Sequence, residues 1–380
     1  MAALSTNKEF YYGQTAVPQM AGTVGYMISI LDAILVTGFN SKNVSSISVT
    51  SNVATVTTST AHGYEIGNII GFSGANESIF NDEFEILSIP STTTFTFSVT
   101  TGLTSATGTI TCKVAPLGWE KTFSGTNKAV YRSLDVTTNQ FYLRVDDTNT
   151  LYAAVNIYET MSNVDTGTGV STTKYWKKST AANTTAYPWY AIGNKKVFYF
   201  FSDWHPTYTL QPAGYAFGWF PSFKSGDGYN TLLVGHDISN PNPSYPANNQ
   251  DFAKIGSAGE TQGQILARSY TQLSSYISFY KLGGIALHTA MGYDSAFPYP
   301  NYADNGIHLF PIYIYESNNN IIRGRMPGLY TPNEFTNGSF YSRDKTVIVD
   351  GKRYIAYRIS NSNSYNQYGN CWFALDEEWT

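Results

Sequence analysis

The segment from Val44 to Val114 constrains the fold most. Ser and Thr fill 26 of its 71 positions and charged residues only six. Short alternating runs follow one another: Ser46–Thr50, Val53–Thr58, Gly67–Phe72, Phe84–Ile89, Thr94–Val99 and Thr107–Val114. Turn residues separate them at Ser51-Asn52, His62-Gly63, Gly74-Ala75-Asn76 and Thr101-Gly102. Period-2 patterning in Thr, Val, Ile and Phe is the signature of strands. Six strands in so short a stretch predict a small β-sandwich or barrel. Pro116 follows directly, so the chain is expected to enter and leave this unit side by side, as an insertion does. The main domain is then discontinuous, residues 1–43 with 115–380, and 44–114 is inserted.

The main domain is also expected to be β-rich. Phe141–Val145 and Leu151–Tyr158 flank a polar turn at Asp146–Thr150, where Asp is favoured for its backbone hydrogen bonds. Thr346–Val349 and Lys352–Ile359 flank Asp350-Gly351, which suits a type I′ turn. Leu309–Tyr315 and Ile321–Arg325 flank Glu316–Asn320, and Lys196–Phe201 reads as a buried strand. Pro- and Asn-rich loops cover Asn240–Gln250 and Phe297–Asn305. One or two helices are expected. Val24–Val36 has apolar residues at helical spacing, with Thr23 as N-cap and Gly38 as stop. It is too short to span a membrane, and Asp32 interrupts it. Gln264–Tyr280 carries a weaker helical pattern, set against its Ser, Tyr and Thr content. No signal peptide opens the chain.

Composition excludes some functions. Charged residues make up 13% and the net charge is −4, so no basic field exists to hold nucleic acid. The small basic spots at Arg323-Gly324-Arg325 and Lys352-Arg353 read as charged hairpin edges. Two cysteines, Cys112 and Cys371, define neither a disulfide framework nor a zinc site, and read as small buried hydrophobes.

Catalytic motifs are weak. The histidines at 62, 205, 236, 288 and 308 make no metal-binding spacing. His205 follows Asp203-Trp204, but a lone His beside aromatics reads as structural. Asp165-Thr166-Gly167 matches the aspartic-protease triplet without the apolar strand that normally precedes it. Ser171/Lys174 and Ser278/Lys281 fit a Ser-Lys pattern without its companion elements, and no G-x-S-x-G is present. Asp376-Glu377-Glu378 reads as a solvated tail. A glycosidase pair of facing carboxylates is not visible in a sequence. Hence no catalytic, cofactor-binding or metal-binding residue is assigned, no cofactor is expected, and no enzymatic activity is expected. What remains is a set of dense aromatic runs: Tyr11-Tyr12, Tyr187 to Tyr190, Trp204, Tyr215–Trp219 and Tyr299 to Tyr302. In a β-rich chain most of them are expected to be core or turn packing; those on a surface poor in charge favour lasting protein contacts, with sugar stacking the lesser reading.

Gly118–Ser133 (GWEKTFSGTNKAVYRS) resembles a block of structural proteins of tailed bacteriophages and prophages. Phe141–Asp147 and Met161–Gly169 resemble its continuation, Leu31–Asn40 its lead-in and Arg323–Pro332 a later block. The inserted unit resembles the immunoglobulin-like domains of phage tail and fibre proteins at His62-Gly63-Tyr64, Gly67, Gly71 and Phe95–Phe97. The resemblance implies a virion component, assembled in the bacterial cytoplasm; it does not itself give the place on the particle, which is expected to be the tail, baseplate or neck. Its partners would be copies of itself and other virion proteins, with the inserted domain facing outward. Host surface glycan is a further candidate partner. Nucleic acid and membrane insertion are not expected. The competing reading is a receptor- or glycan-binding tail fibre or spike, extended to polysaccharide degradation.

Overall fold

The computed structural model describes residues 7–205, 212–236, 263–273, 275–282, 306, 308–332, 346–360 and 368–379. The loops at Asn240–Gln250 and Phe297–Asn305, the Tyr299 to Tyr302 run and His288 lie outside them. The fold is mainly β.

The chain opens with β1 (Lys8–Tyr11), an edge strand that pairs antiparallel with a strand almost 180 residues later. One short helix follows, α1 (Tyr26–Leu31), which widens into a π-helical turn at Asp32–Thr37 and stops at Gly38. Leu31, Ile34 and Leu35 are fully buried, as the spacing predicts. Thr23 is not the cap. Its hydroxyl donates to the Asn183 carbonyl, and Gly25, in the left-handed region at φ 79°, stands at the helix start with no side chain to offer. The cap comes from far away: Asp147 Oδ2 accepts the amides of Met27 and Ile28 at 2.8 and 3.4 Å. The four amides that open a helix need acceptors, and a carboxylate there also suits the helix dipole.

The Ser/Thr-rich segment holds eight strands: β2 (Phe39–Thr50), β3 (Val53–Thr58), β4 (Ile69–Ala75), β5 (Glu83–Glu85), β6 (Ser88–Ser91), β7 (Thr94–Ser98), β8 (Ser105–Ala106) and β9 (Gly108–Val114). The single run expected at Phe84–Ile89 is two strands, and β2 starts at Phe39, ahead of the composition change. The paired order is β5-β4-β9-β2-β3-β7-β6, with β8 also on β2. Strand β2 is long enough to serve both halves: Phe39–Asn43 face β9, and the remainder faces β3. The sheet therefore curls on itself. Phe72 meets Phe95 and Phe97 across the interior, at ring separations of 6.1 and 5.3 Å. Phe39 pairs directly with Val114, which sets the two ends of this sheet side by side.

Next comes a five-stranded sheet of β10 (Trp119–Gly125), β11 (Lys128–Ser133), β12 (Tyr142–Asp146), β13 (Tyr152–Tyr158) and β16 (Lys174–Lys177), in that order. A small hairpin, β14 (Thr160–Asn163) with β15 (Thr166–Thr168), projects from it. A seven-stranded sheet follows, β1-β17-β18-β19-β20-β21-β22, from β17 (Trp189–Gly193), β18 (Val197–Ser202), β19 (Ala213–Trp219), β20 (Thr231–Val234), β21 (Gln264–Leu266) and β22 (Ile277–Ser278). The last sheet runs β23-β24-β25-β28-β27-β26, from β23 (Tyr280–Leu282), β24 (Leu309–Glu316), β25 (Ile321–Pro332), β26 (Thr346–Val349), β27 (Lys352–Ser360) and β28 (Tyr368–Ala374). Gln264–Tyr280 is thus strand and loop, not helix. Ile265 and Leu266 pair with β20 and with β22, and this tertiary pairing overrides a weak helical spacing.

The seven-stranded sheet is the middle layer. Along β18, Phe198 and Phe200 enter a core shared with the five-stranded sheet and α1. Val197, Tyr199 and Phe201 enter a second core, shared with the last sheet. Both faces are covered, so the strand shows no alternation in its sequence. Trp379 closes the second core. It packs on Tyr199 and Phe373 and donates its indole N–H to the Ala374 carbonyl at 2.8 Å. Its ring lies where a Cβ on Gly328 (φ 64°) would stand. Gly328→Ala is expected to displace Trp379 and to cost about 1–3 kcal/mol from crowding and the positive φ. A red-shifted tryptophan emission with a lower denaturation midpoint checks this, and an unchanged spectrum refutes it.

The hairpins read from the sequence are present: β12–β13, β24–β25 and β26–β27. Asp350 and Gly351 both have positive φ, 49° and 75°, as a type I′ turn requires.

Candidate functional site

Among the described residues, those singled out for chemistry do not converge. His62 is buried beside Tyr64 and Phe95, and its Nδ1 accepts the Tyr64 amide at 2.9 Å. His236 lies fully buried against Tyr215. Burial first, and then the nearby Lys177 charge, push its imidazole down to about 3, so it is neutral at pH 7. His205 sits on Trp204, and His308 is exposed. Asp165 occupies the β14–β15 turn, bound to Lys128 at 2.8 Å and Arg144 at 2.6 Å, which hold its carboxyl below the usual range. The Ser171 hydroxyl accepts the Ile157 amide and donates to the Thr172 carbonyl. Ser278 and Lys281 lie in different sheets. Both cysteines are buried free thiols, and burial raises each. Tyr187, Trp189, Trp204 and Tyr215 are core residues, not surface platforms. Among the described residues no group of three metal-ligating side chains forms, and no helix is long and apolar enough to cross a membrane.

Two sequence expectations need correction, and a third residue does more than expected. Asp147 at its turn bonds backbone amides, but they are those of the distant α1. It is fully buried, paired with the equally buried Lys178, whose ammonium also donates to the Thr23 carbonyl at 3.0 Å. Arg323 is not an edge charge. The ladder between β24 and β25 slips between Ile314–Gly324 and Tyr315–Ile322, which leaves Arg323 as the extra residue of a bulge. A bulge re-aims its side chain, and here the guanidinium turns inward to Asp227 and Glu316, all three nearly or fully inaccessible. Asp376, Glu377 and Glu378 are not a free tail. They pair with Arg353, Lys352 and Lys196, and the hydroxyl of Tyr330 donates to Glu377.

Two surfaces stand out instead. The first is the outer face of the last sheet. Tyr280, Tyr315 and Ile322 line up across β23, β24 and β25, and Tyr313 lies beside them under Phe223. Phe223 is 58% exposed and Ile322 47%. Leu273, between β21 and β22 of the middle sheet, is 91% exposed.

The second is a cleft of about 180 Å³ under the inserted sheet. Its walls are β1, the turn at Glu65–Ile69 with Glu85, and the β26–β27 hairpin at Thr346 and Arg353. Charge pairs clamp these walls together. Lys8 meets Glu83 at 2.7 Å, and Arg353 meets Glu85 at 2.9 Å. Tyr11 donates its hydroxyl to Glu65, and Tyr357 donates to Glu9 at 2.9 Å. Arg353 and Glu85 are 268 positions apart, so no local motif could announce this site.

With this geometry in view, the chain can be set beside known proteins. No protein-family model matches it, and no curated protein matches it. Among solved structures it is similar to "Phage phi92 endosialidase", at 11% identity and a TM-score of 0.18, over 90% of this chain and 52% of that one. The chain spans about half the length of that structure, and a likeness of this size carries no argument.

Proposed function

We propose that this chain is a non-enzymatic structural component of a tailed-phage particle, placed in the tail, baseplate or neck, and that it works by symmetric protein–protein contact. The observation that carries the mode of action is the aromatic and aliphatic row on the last sheet. Exposed apolar surface of this kind marks an interaction site, and Phe223, Tyr313, Tyr315 and Ile322 sit on a rigid, paired backbone. The particle itself is suggested by the Gly118–Ser133 block and its companions. The dispersal of the catalytic candidates supports the non-enzymatic part.

Imaging intact particles by electron microscopy tests the reading. The expected result is density for this chain in symmetric copies, each contact burying more than about 1,000 Å². Particles without such density would refute it. Ile322→Asp is expected to fold normally and to weaken incorporation into particles at least tenfold, since a charge at a buried contact costs several kcal/mol. Full incorporation would move the contact elsewhere on the molecule.

The cleft favours a second reading, a receptor- or glycan-binding tail fibre or spike. Degradation of the glycan gains little from it. Glu65 and Glu85, which share a wall, are each held by a hydroxyl or a guanidinium.

A further inference from the structure

We infer that Lys177, Trp204 and His236 form a binding site for one small monovalent carboxylate, of the size of formate or acetate. Three elements bring them together. Lys177 ends β16, Trp204 stands two residues beyond β18, and His236 stands two beyond β20. The Tyr215 hydroxyl accepts the Lys177 backbone N–H at 2.9 Å, and the Ser202 hydroxyl donates to the Lys177 carbonyl at 2.8 Å. His236 exchanges two backbone bonds of 2.9 Å with Tyr175. Lys177 and His236 thus stand on a fixed backbone. Within this frame the Lys177 ammonium lies 5.0 Å from the centre of the Trp204 ring, and its charge reaches the His236 imidazole.

Each group carries unmet capacity. The indole N–H of Trp204 and both ring nitrogens of His236 are buried and meet no hydrogen-bond partner, a rare condition for polar atoms inside a protein. Lys177 is 1% exposed, and among the described residues its ammonium meets neither a carboxylate nor a hydrogen-bond acceptor. Burial pushes it down to about 8, so it remains mostly charged at pH 7. The neighbouring Lys178 is buried as deeply and has Asp147, which is the usual arrangement for a buried charge. The face of Trp204 offsets part of the cost for Lys177, but an indole ring brings no negative charge. A water would serve the neutral donors and leave that charge unmatched. These needs select the ligand. One cation calls for a single negative charge. A carboxylate has about four acceptor sites, enough to take bonds from the ammonium, the indole N–H and the one N–H of a neutral imidazole. Ser202, Trp204, Tyr215 and His236 are all fully buried, so a group of few atoms is admitted and a large one is not.

The test is an NMR titration of the full, isotope-labelled chain with formate and with acetate at pH 7, against chloride at equal ionic strength. The Trp204 indole N–H signal, identified by its loss in Trp204→Phe, is expected to move saturably with at least one carboxylate and not with chloride. Lys177→Met nearly keeps the length of the side chain and removes its charge. It is expected to raise the concentration needed about tenfold or more, the worth of one charge-assisted bond. An indole signal unmoved by either carboxylate overturns the inference, and because that titration uses wild type it does so even where a variant fails to fold. An equal response to chloride, or a response undiminished in Lys177→Met, overturns it as well. The result is independent of particle assembly, which is read on another face of the molecule.

Discussion

Arg323→Ala is expected to lose about 3–5 kcal/mol of stability, the usual cost of stranding a buried charge partner. The guanidinium meets Asp227 through two bonds of 2.9 Å and Glu316 at 3.3 Å, and it also donates to the Arg268 carbonyl. Glu316 further accepts the Tyr270 amide at 2.7 Å. Truncation would leave two carboxylates in the interior with no cation between them. Arg323→Lys is expected to recover less than half of the loss, because a lysine cannot span both acids with a planar fork. The acid response gives a second readout. Burial pushes the Asp227 carboxyl up, but the bonds from Arg323 and Ser222 outweigh it and hold the group below its ordinary 3.8. A folded value below the unfolded one means stability that is present above about pH 4 and lost as the pH falls through the folded value. Wild type should therefore weaken on acidification more steeply than Arg323→Ala. Denaturant midpoints between neutral pH and pH 3 measure both effects. A loss under about 1 kcal/mol with parallel acid profiles would show that the pair is open to water.

Asp147→Ala is expected to be comparably damaging, about 3–5 kcal/mol, because it strands the buried Lys178 ammonium and uncaps α1 in one step. Adding Lys178→Met should restore part of the loss, which separates the charge from the cap. Asp147→Asn keeps an oxygen for the Met27 and Ile28 amides and should fall between. Here the pH sign is opposite. Burial pushes the Asp147 carboxyl up to about 6 against the pull of Lys178, and burial lowers the Lys178 amine. A folded value above the unfolded one favours the fold at low pH and loses that contribution as the pH rises through about 6. The advantage of wild type over Asp147→Asn should accordingly shrink between pH 4 and pH 7. An advantage that grows instead would mean the carboxylate is fully compensated by its three donors.

What the sequence made legible was local. The β26–β27 turn was readable because Asp350-Gly351 must take positive φ at both positions. The strands of the inserted sheet were readable because one face is wet and the other dry. The buried strand β18 was readable from its unbroken apolar run, although not the reason, which is a core on each face. The failures were long-range. The cap of α1 comes from Asp147, some 120 residues away, and no spacing rule reaches that far. Arg323 looks like a surface charge in Arg-Gly-Arg, and only the bulge against Ile314 and Tyr315 turns it inward. Gln264–Tyr280 has helical spacing, but its residues find strand partners on β20 and β24. Among the functional candidates, the aromatic runs were read mostly as core packing, and the buried ones are that. Most of them fill cores, while the row on the last sheet joins half-buried Tyr280, Tyr313 and Tyr315 to exposed Phe223 and Ile322, scattered singly along the chain. The cleft needed Gln14, Asn68 and Arg353 to meet, which only the topology arranges.

The Asn7 amide bridges to the carbonyls of Ala374, Leu375 and Glu377 at 3.3, 3.0 and 2.8 Å, and β1 sits on the edge of the middle sheet. The Asn7 amide thus finds these acceptors among residues synthesised some 370 positions later, and β1 finds its strand partner β17 some 180 positions later. On a ribosome adding about 5–20 residues per second, β1 waits tens of seconds with an unsatisfied edge, while the inserted sheet, whose partners are all near in sequence, can already be complete. The order of folding is set by this arrangement: the inserted sheet early, the middle layer late, and the clasp of Asn7 last. Contacts of such high sequence separation fold slowly, and the waiting strand is the part of the nascent chain most exposed to capture by a neighbouring copy.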